Sequence, residues 1–139
     1  MSLAYAESGT ALHEVHEAIG RYFDALHHSD TTALRTIFHP GAVYATATEG
    51  ALVRLSMDEY FAVVAARESP ASRGEGRTDA IESVEFAGPV TALARVQCSI
   101  GPKRFDDLLT FVRVDGRWQI IAKVFHFELG PAPLVVGGV

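Results

Sequence analysis

Apolar positions early in the chain recur at the three-and-four spacing of a helix with one buried face: Leu12, Val15, Ile19, Tyr22, Phe23 and Leu26. The pattern predicts a helix over residues 10–28 with Thr10 as its N-cap. Asp30 is placed to cap a short second helix, Thr31 to Phe38, which carries Leu34, Ile37 and Phe38 and is ended by His39-Pro40-Gly41. A β-prone run, 42–48, follows, then a Glu49-Gly50 turn and a short return strand, 51–55. Ser56 with Glu59 three residues on is a capping-box pattern. It opens a third helix, Met57 to about Arg67, with Met57, Tyr60, Phe61 and Val64 on one side. Beyond the polar loop 68–77 the period of the pattern changes from that of helices to that of strands.

The first two long strands are predicted over 78–87 and 90–100, joined at Gly88-Pro89. The second puts Ala92, Ala94, Val96, Cys98 and Ile100 on one face and Arg95, Gln97 and Ser99 on the other. Gly101-Pro102 turns the chain into FDDLLTFVRVDGRWQIIAKVFHFEL, from Phe105 to Leu129. Asp115-Gly116 at its centre is a hairpin signal, because a type I′ turn needs positive φ at both central residues. For an unbulged hairpin Arg113 faces Trp118, Phe111 faces Ile120, Leu109 faces Ala122, Asp107 faces Val124 and Phe105 faces His126. That side is apolar except at its far end, where Asp107 and His126 stand diagonally across the ladder. The other side carries Asp106, Leu108, Thr110, Val112, Ile121, Lys123, Phe125 and Phe127, too apolar to face water. It reads as a homodimer interface through the outer sheet face, with Lys123 paired to Asp106, or else as a surface covered by the tail at Leu134 to Val136.

Helices first and strands later indicate an α+β fold, helices covering one face of a curved antiparallel sheet. The 139 residues suit one domain (1–139, core about 10–129, tail 130–139). A net charge of -5 argues against a nucleic-acid surface. No run approaches the ~18 apolar residues of a membrane span, and the opening MSLAYAESGT lacks the pattern of a secretory leader. With the single Cys98 excluding an intrachain disulfide, the expected location is cytoplasmic.

The candidate catalytic residues are Asp107 and His126, an imidazole held in one tautomer by an acid at the rim of an apolar face. Candidate ligand contacts are Tyr22, Tyr44 and Tyr60, whose hydroxyls can donate into an apolar cavity, with Phe105, Leu109 and Trp118. His39 either faces the pocket mouth or caps helix carbonyls. His13-Glu14-Val15-His16-Glu17 lacks the spacing of a zinc-protease helix, so no metal and no cofactor are expected. Cys98 reads as an inert core thiol.

The segments EVHEAIGRYFDALHHSDTTALRTIFHPGAVYA and LLTFVRVDGRWQIIAKVFHF resemble the nuclear transport factor 2-like superfamily. Within it they look closest to the branch labelled "putative lumazine-binding" and to the polyketide-cyclase-like branch. The most specific pieces are Tyr22-Phe23, Phe38-His39-Pro40, and Asp115-Gly116-Arg117-Trp118 with Lys123 and His126. The resemblance implies a cone-shaped, strongly curved antiparallel sheet wrapped on N-terminal helices, as in cystatin-like folds. It also implies an apolar pocket and a homodimer. The superfamily holds ketosteroid isomerases, scytalone dehydratase, polyketide cyclases and non-catalytic binding domains, so fold alone does not choose among them. The expectation is a domain that binds a small hydrophobic or aromatic ligand, acting, if it is a catalyst, as a cofactor-free isomerase, dehydratase or cyclase by acid–base chemistry. The alternative is a non-catalytic dimerisation, association or sensing domain working through its outer sheet face.

Overall fold

A computed structural model describes residues 2–130, with side chains from Gly9 onward. The proposed covering segment Leu134 to Val136 lies outside the described residues. The order is α1 (Ser2–His28), α2 (Thr31–Ile37), β1 (Phe38–Thr46), β2 (Val53–Leu55), α3 (Met57–Ala66), β3 (Ala80–Phe86), β4 (Thr91–Ile100), β5 (Lys103–Val114) and β6 (Arg117–Leu129). Helix α1 starts well before the expected cap at Thr10. The Ala-containing stretch ahead of that residue favours helix, and Thr10 lies inside it. The other two helices begin where side chains satisfy their free N–H groups. Asp30 Oδ1 accepts from the Ala33 N–H at 3.0 Å, and Ser56 and Glu59 form a complete capping box.

One six-stranded sheet runs in the order β2-β1-β6-β5-β4-β3. It is mixed, because β1 lies parallel to β6 while the other pairs are antiparallel. His39-Pro40-Gly41 ends α2 as expected but already belongs to β1, consistent with the extended backbone required before proline. Val15, Ile19 and Tyr22 of α1, Leu34 and Ile37 of α2, and Met57, Tyr60 and Val64 of α3 bury their side chains on the inner face of the sheet. That face presents Ala92, Ala94 and Val96 from β4, Leu109 and Phe111 from β5, and Trp118 and Ile120 from β6.

The Asp115-Gly116 turn forms with φ of 50° and 75°. Near it the pairs are those expected: Val114 with Arg117, Arg113 with Trp118 and Phe111 with Ile120. Then the register shifts. Thr110 pairs with Ala122, Leu109 with Lys123, Asp107 with Phe125 and Phe105 with Phe127. The extra residue on β6, Ile121, is a β-bulge, and because side chains alternate, everything beyond it changes face. Lys123, Phe125 and Phe127 turn inward, and Val124 and His126 turn outward. The shift is favourable because it brings two phenylalanines onto the inner face in place of a valine and a histidine. It overturns the expected facing of Asp107 and His126 and the expected pairing of Lys123 with Asp106.

Candidate functional site

Asp107 of β5 and Lys123 of β6 are charged residues in the core, 0% and 4% exposed. Adjacent strands hold them on the same face, two residues out of register, Lys123 opposite Leu109 and Asp107 opposite Phe125. The Tyr22 hydroxyl, brought down from α1, donates to Asp107 Oδ2 at 2.6 Å. Lys123 Nζ lies 3.9 Å from the same oxygen and donates to the Tyr60 hydroxyl of α3 at 3.1 Å. The rings of Tyr22, Tyr44, Tyr60, Phe105 and Phe125 surround the ammonium, their centroids 4.9–5.8 Å away, within cation–π range. Helices and sheet thus close a chain of polar groups, Tyr22–Asp107–Lys123–Tyr60, inside an aromatic shell.

The electrostatics of this cluster are set by burial and by one carboxylate. Burial works to lower the Lys123 pKa, but Asp107, with Tyr60 in support, reverses the direction and holds it above its ordinary value. The Tyr22 phenol is held well above its usual range, first by burial and then by the neighbouring carboxylate. Lys123 therefore serves as a cation rather than as a free amine, and Tyr22 as a hydrogen-bond donor. Asp107 Oδ1 is buried and has no hydrogen-bond partner among the described residues.

At one end of this cluster a cavity of about 360 Å³ opens to the surface. Tyr44, Phe105, Phe125 and Phe127 supply its aromatic wall, and Arg67, Arg73, Lys103, Glu49 and Glu68 line it as well. Thr46 ties the wall together, its hydroxyl donating to the Phe125 carbonyl at 2.7 Å across β1 and β6. The Tyr44 ring centroid lies 4.6 Å from that of Tyr60, the planes tilted by 30°, and 4.9 Å from that of Phe125, edge to face. The same three rings, Tyr44, Phe105 and Phe125, thus face the cavity and flank the Lys123 ammonium.

The residues singled out in the sequence divide into four groups. Asp107, Tyr22 and Tyr60 meet around Lys123; Tyr44 and Phe105 line the cavity. Leu109 is fully buried in the core, and Trp118 packs edge-on to Phe86 at 5.8 Å, near the turn end of the hairpin. His126 and His39 lie elsewhere. Turned outward by the bulge, His126 is exposed, 3.3 Å from Thr48 Oγ1 and 3.9 Å from Glu128. His39 Nδ1 accepts the Gly41 N–H at 2.9 Å, closing a local turn rather than facing the cavity. Lys123 and Phe125 were missed as site residues. Both carried a signal: the large apolar residues Trp118, Ile120, Phe125 and Phe127 contain one odd interval, which a period-2 strand accommodates only with a bulge. Arg67 reads from the sequence, with Arg54, Arg73 and Arg77, as solvated surface or as a contact for an acidic ligand at the pocket mouth, and the structure puts it in the cavity lining. Among the described residues no cluster of His, Cys, Asp and Glu has the form of a metal site.

Helices packed on one face of a curved mixed sheet, with a buried polar cluster below an end cavity, define a protein of the nuclear transport factor 2-like class. An uncharacterised protein of that class from Silicibacter pomeroyi superposes with a TM-score of 0.78 at 26% identity, over 87% of this chain and 98% of that one. A protein from Novosphingobium aromaticivorans described as "Putative Scytalone Dehydratase" superposes with a TM-score of 0.67 at 13% identity, over 97% of this chain and 99% of that one. At that identity the likeness is one of fold. Aldolase FrzH from Cladobotryum sp is 40% identical over 40 residues, which span 27% of this chain and 32% of the aldolase. Residues 10–126 match the family described as "Putative lumazine-binding", and the chain belongs to that family. No described helix is long and apolar enough to cross a membrane.

Proposed function

We propose that this protein binds a small, largely hydrophobic or aromatic molecule in the cavity walled by Tyr44, Phe105 and Phe125, and that Asp107 is the acid–base group beneath it. The observation that carries the reading is the free Oδ1 of Asp107, in the core beside a lysine whose flanking rings, Tyr44, Phe105 and Phe125, also wall an open cavity. A carboxylate sealed from water ordinarily has its oxygens satisfied, and an exception calls for a use. Proton abstraction next to a carbonyl, the opening step of isomerisation, dehydration or cyclisation, needs such an oxygen and no cofactor. Tyr22 and Lys123 hold the carboxylate in place, and Lys123 supplies positive charge for an oxyanion. For a substrate to reach Asp107 the ring layer must part, so the first requirement is binding.

The test is thermal melting of the protein and of Val63→Trp against a library of aromatic and polycyclic compounds, with native mass spectrometry of protein purified from its own host. Val63 is exposed at the cavity lip, so the indole narrows the mouth without touching the core. A ligand at 100 times its Kd stabilises by about 2.7 kcal/mol; the native protein is expected to show such shifts and the variant to lose them. Equal responses, or no response to any compound that fits, would sink the reading.

A second reading concerns the outer sheet face. Leu93, Leu108 and Val124, 38%, 44% and 46% exposed, lie on neighbouring strands, with Leu108 directly paired to Val124. This strip supports self-association as a homodimer. The expected result is a dimer by light scattering, converted to a folded monomer by Val124→Asp; a native monomer excludes it.

A further inference from the structure

The charged residues lining the cavity are not equivalent. Arg73 is ion-paired with Glu75, whose other oxygen accepts the Gly101 N–H at 3.0 Å. Lys103 is exposed, its ammonium 4.6 Å from the Phe127 ring centroid. Glu49 and Glu68 are exposed to water, which screens them. Arg67 differs from all of these. It is the C-cap residue of α3 and half-buried, and its Nε is sealed from water with no hydrogen-bond partner among the described residues. A guanidinium offers five donors in a rigid fork and no acceptor, so Arg67, which lines the cavity with one donor already unmatched, is the cation there with capacity left for an anion. Its charge is felt at the cavity wall: burial raises the Tyr44 hydroxyl, and Lys123 and Arg67 both work against that rise.

We infer that the molecule bound in this cavity is an aromatic carboxylate, its rings against Tyr44, Phe105 and Phe125 and its anionic group on the Arg67 guanidinium. The inference rests on the reading of the cavity as a small-molecule site and adds the charge of the ligand. The planar fork of Arg67 matches a carboxylate two bonds at a time, a stronger and more directional contact than a neutral amide makes. The opening of about 360 Å³ falls within the ordinary range for small-molecule sites, with space for a two-ring body.

The experiment is calorimetric titration with 2-naphthoate and with 2-naphthamide, its uncharged counterpart of nearly equal size. The native protein is expected to bind the carboxylate about tenfold more tightly than the amide, with added salt weakening the carboxylate alone. Arg67→Gln is expected to bring the carboxylate down to the level of the amide and leave the amide unchanged; Arg67→Lys keeps part of the preference. Equal affinities in the native protein, or equal loss of both probes in Arg67→Gln, overturn the carboxylate assignment while the cavity stands as a binding site. Binding of neither probe overturns both.

Discussion

Asp106 and Asp107 are neighbours in the chain, point to opposite faces of one sheet, and each lies beside a cation from an adjacent strand. On the outer face Arg95 of β4 grips Asp106 with two hydrogen bonds, 3.0 and 2.6 Å, and reaches Glu82 at 2.9 Å. On the inner face Lys123 comes no closer to Asp107 than 3.9 Å, and the nearer partner of the carboxylate is Tyr22. By geometry the outer pair is far better made. By energy the inner one matters more, because water screens and replaces the outer contacts while nothing replaces the inner ones. Burial, not bond length, decides what each aspartate contributes, and the buried one is the one left with an oxygen that has no hydrogen-bond partner among the described residues.

The sharpest way to break this contrast is to remove the inner cation. Lys123→Met keeps the length of the side chain within its aromatic shell but leaves Asp107 without its counter-charge. The expected loss is about 3–5 kcal/mol, read from urea unfolding midpoints with the slope checked for constancy. Adding Asp107→Leu should recover much of it, since the uncompensated charge, rather than the lost pair, carries the cost. A single-variant loss below about 1 kcal/mol would mean that water reaches the inner pair and that the contrast fails.

Tyr22→Phe comes next. It removes one hydrogen bond to a carboxylate while keeping the ring, an expected loss of about 1.5–3 kcal/mol. The variant also changes the alkaline limb of stability. The folded state holds the Tyr22 phenol well above its unfolded value, so its contribution is complete below about pH 10 and is lost as pH rises beyond that. The Cys98 thiol, pushed up to about 12 chiefly by burial, adds to the same limb in both proteins. Tyr22→Phe is therefore expected to lose stability less steeply than the native protein above pH 10. Parallel curves would show that Tyr22 is free to ionise in place.

Much of the inner cluster was legible in the sequence, and the reason that part was not is local. Tyr22 sits on the apolar stripe of a helix, and Asp107 is two residues from Leu109 and Phe105 on an alternating strand. Both placements follow from periodicity alone, while the capping box at Ser56 and the turn at Asp115-Gly116 follow from residue types at fixed positions. The partner of Asp107 was misread because a register counted from the turn holds only until the first bulge. One extra residue at Ile121 exchanged His126 for Lys123 and turned a catalytic pair expected at the rim into an ion pair inside the core. The parallel pairing of β1 with β6 was likewise out of reach, since nothing in a single strand's pattern names a non-local neighbour. Arg67 lies in a helix-ending segment whose side chain is placed by tertiary packing, not by periodicity.

The smallest expected effect tests the outer half of the comparison. Asp106 is held below the usual carboxylate range, first by its hydrogen bonds from Arg95. A carboxylate with a depressed folded pKa stabilises the fold above its unfolded pKa, about 3.9, and loses that contribution as pH falls through the folded value. Arg95 and Asp106 are one half and one third exposed, so solvent screening leaves only a small contribution at neutral pH. Arg95→Ala is therefore expected to cost no more than this, less still in high salt, and nothing once the carboxylates are protonated in both proteins. A loss as large as that of Lys123→Met, insensitive to salt, would mean that the outer face is covered in solution. Arg95 lies on the same face as Leu93, Leu108 and Val124, so that result would point to a partner seated on this strip.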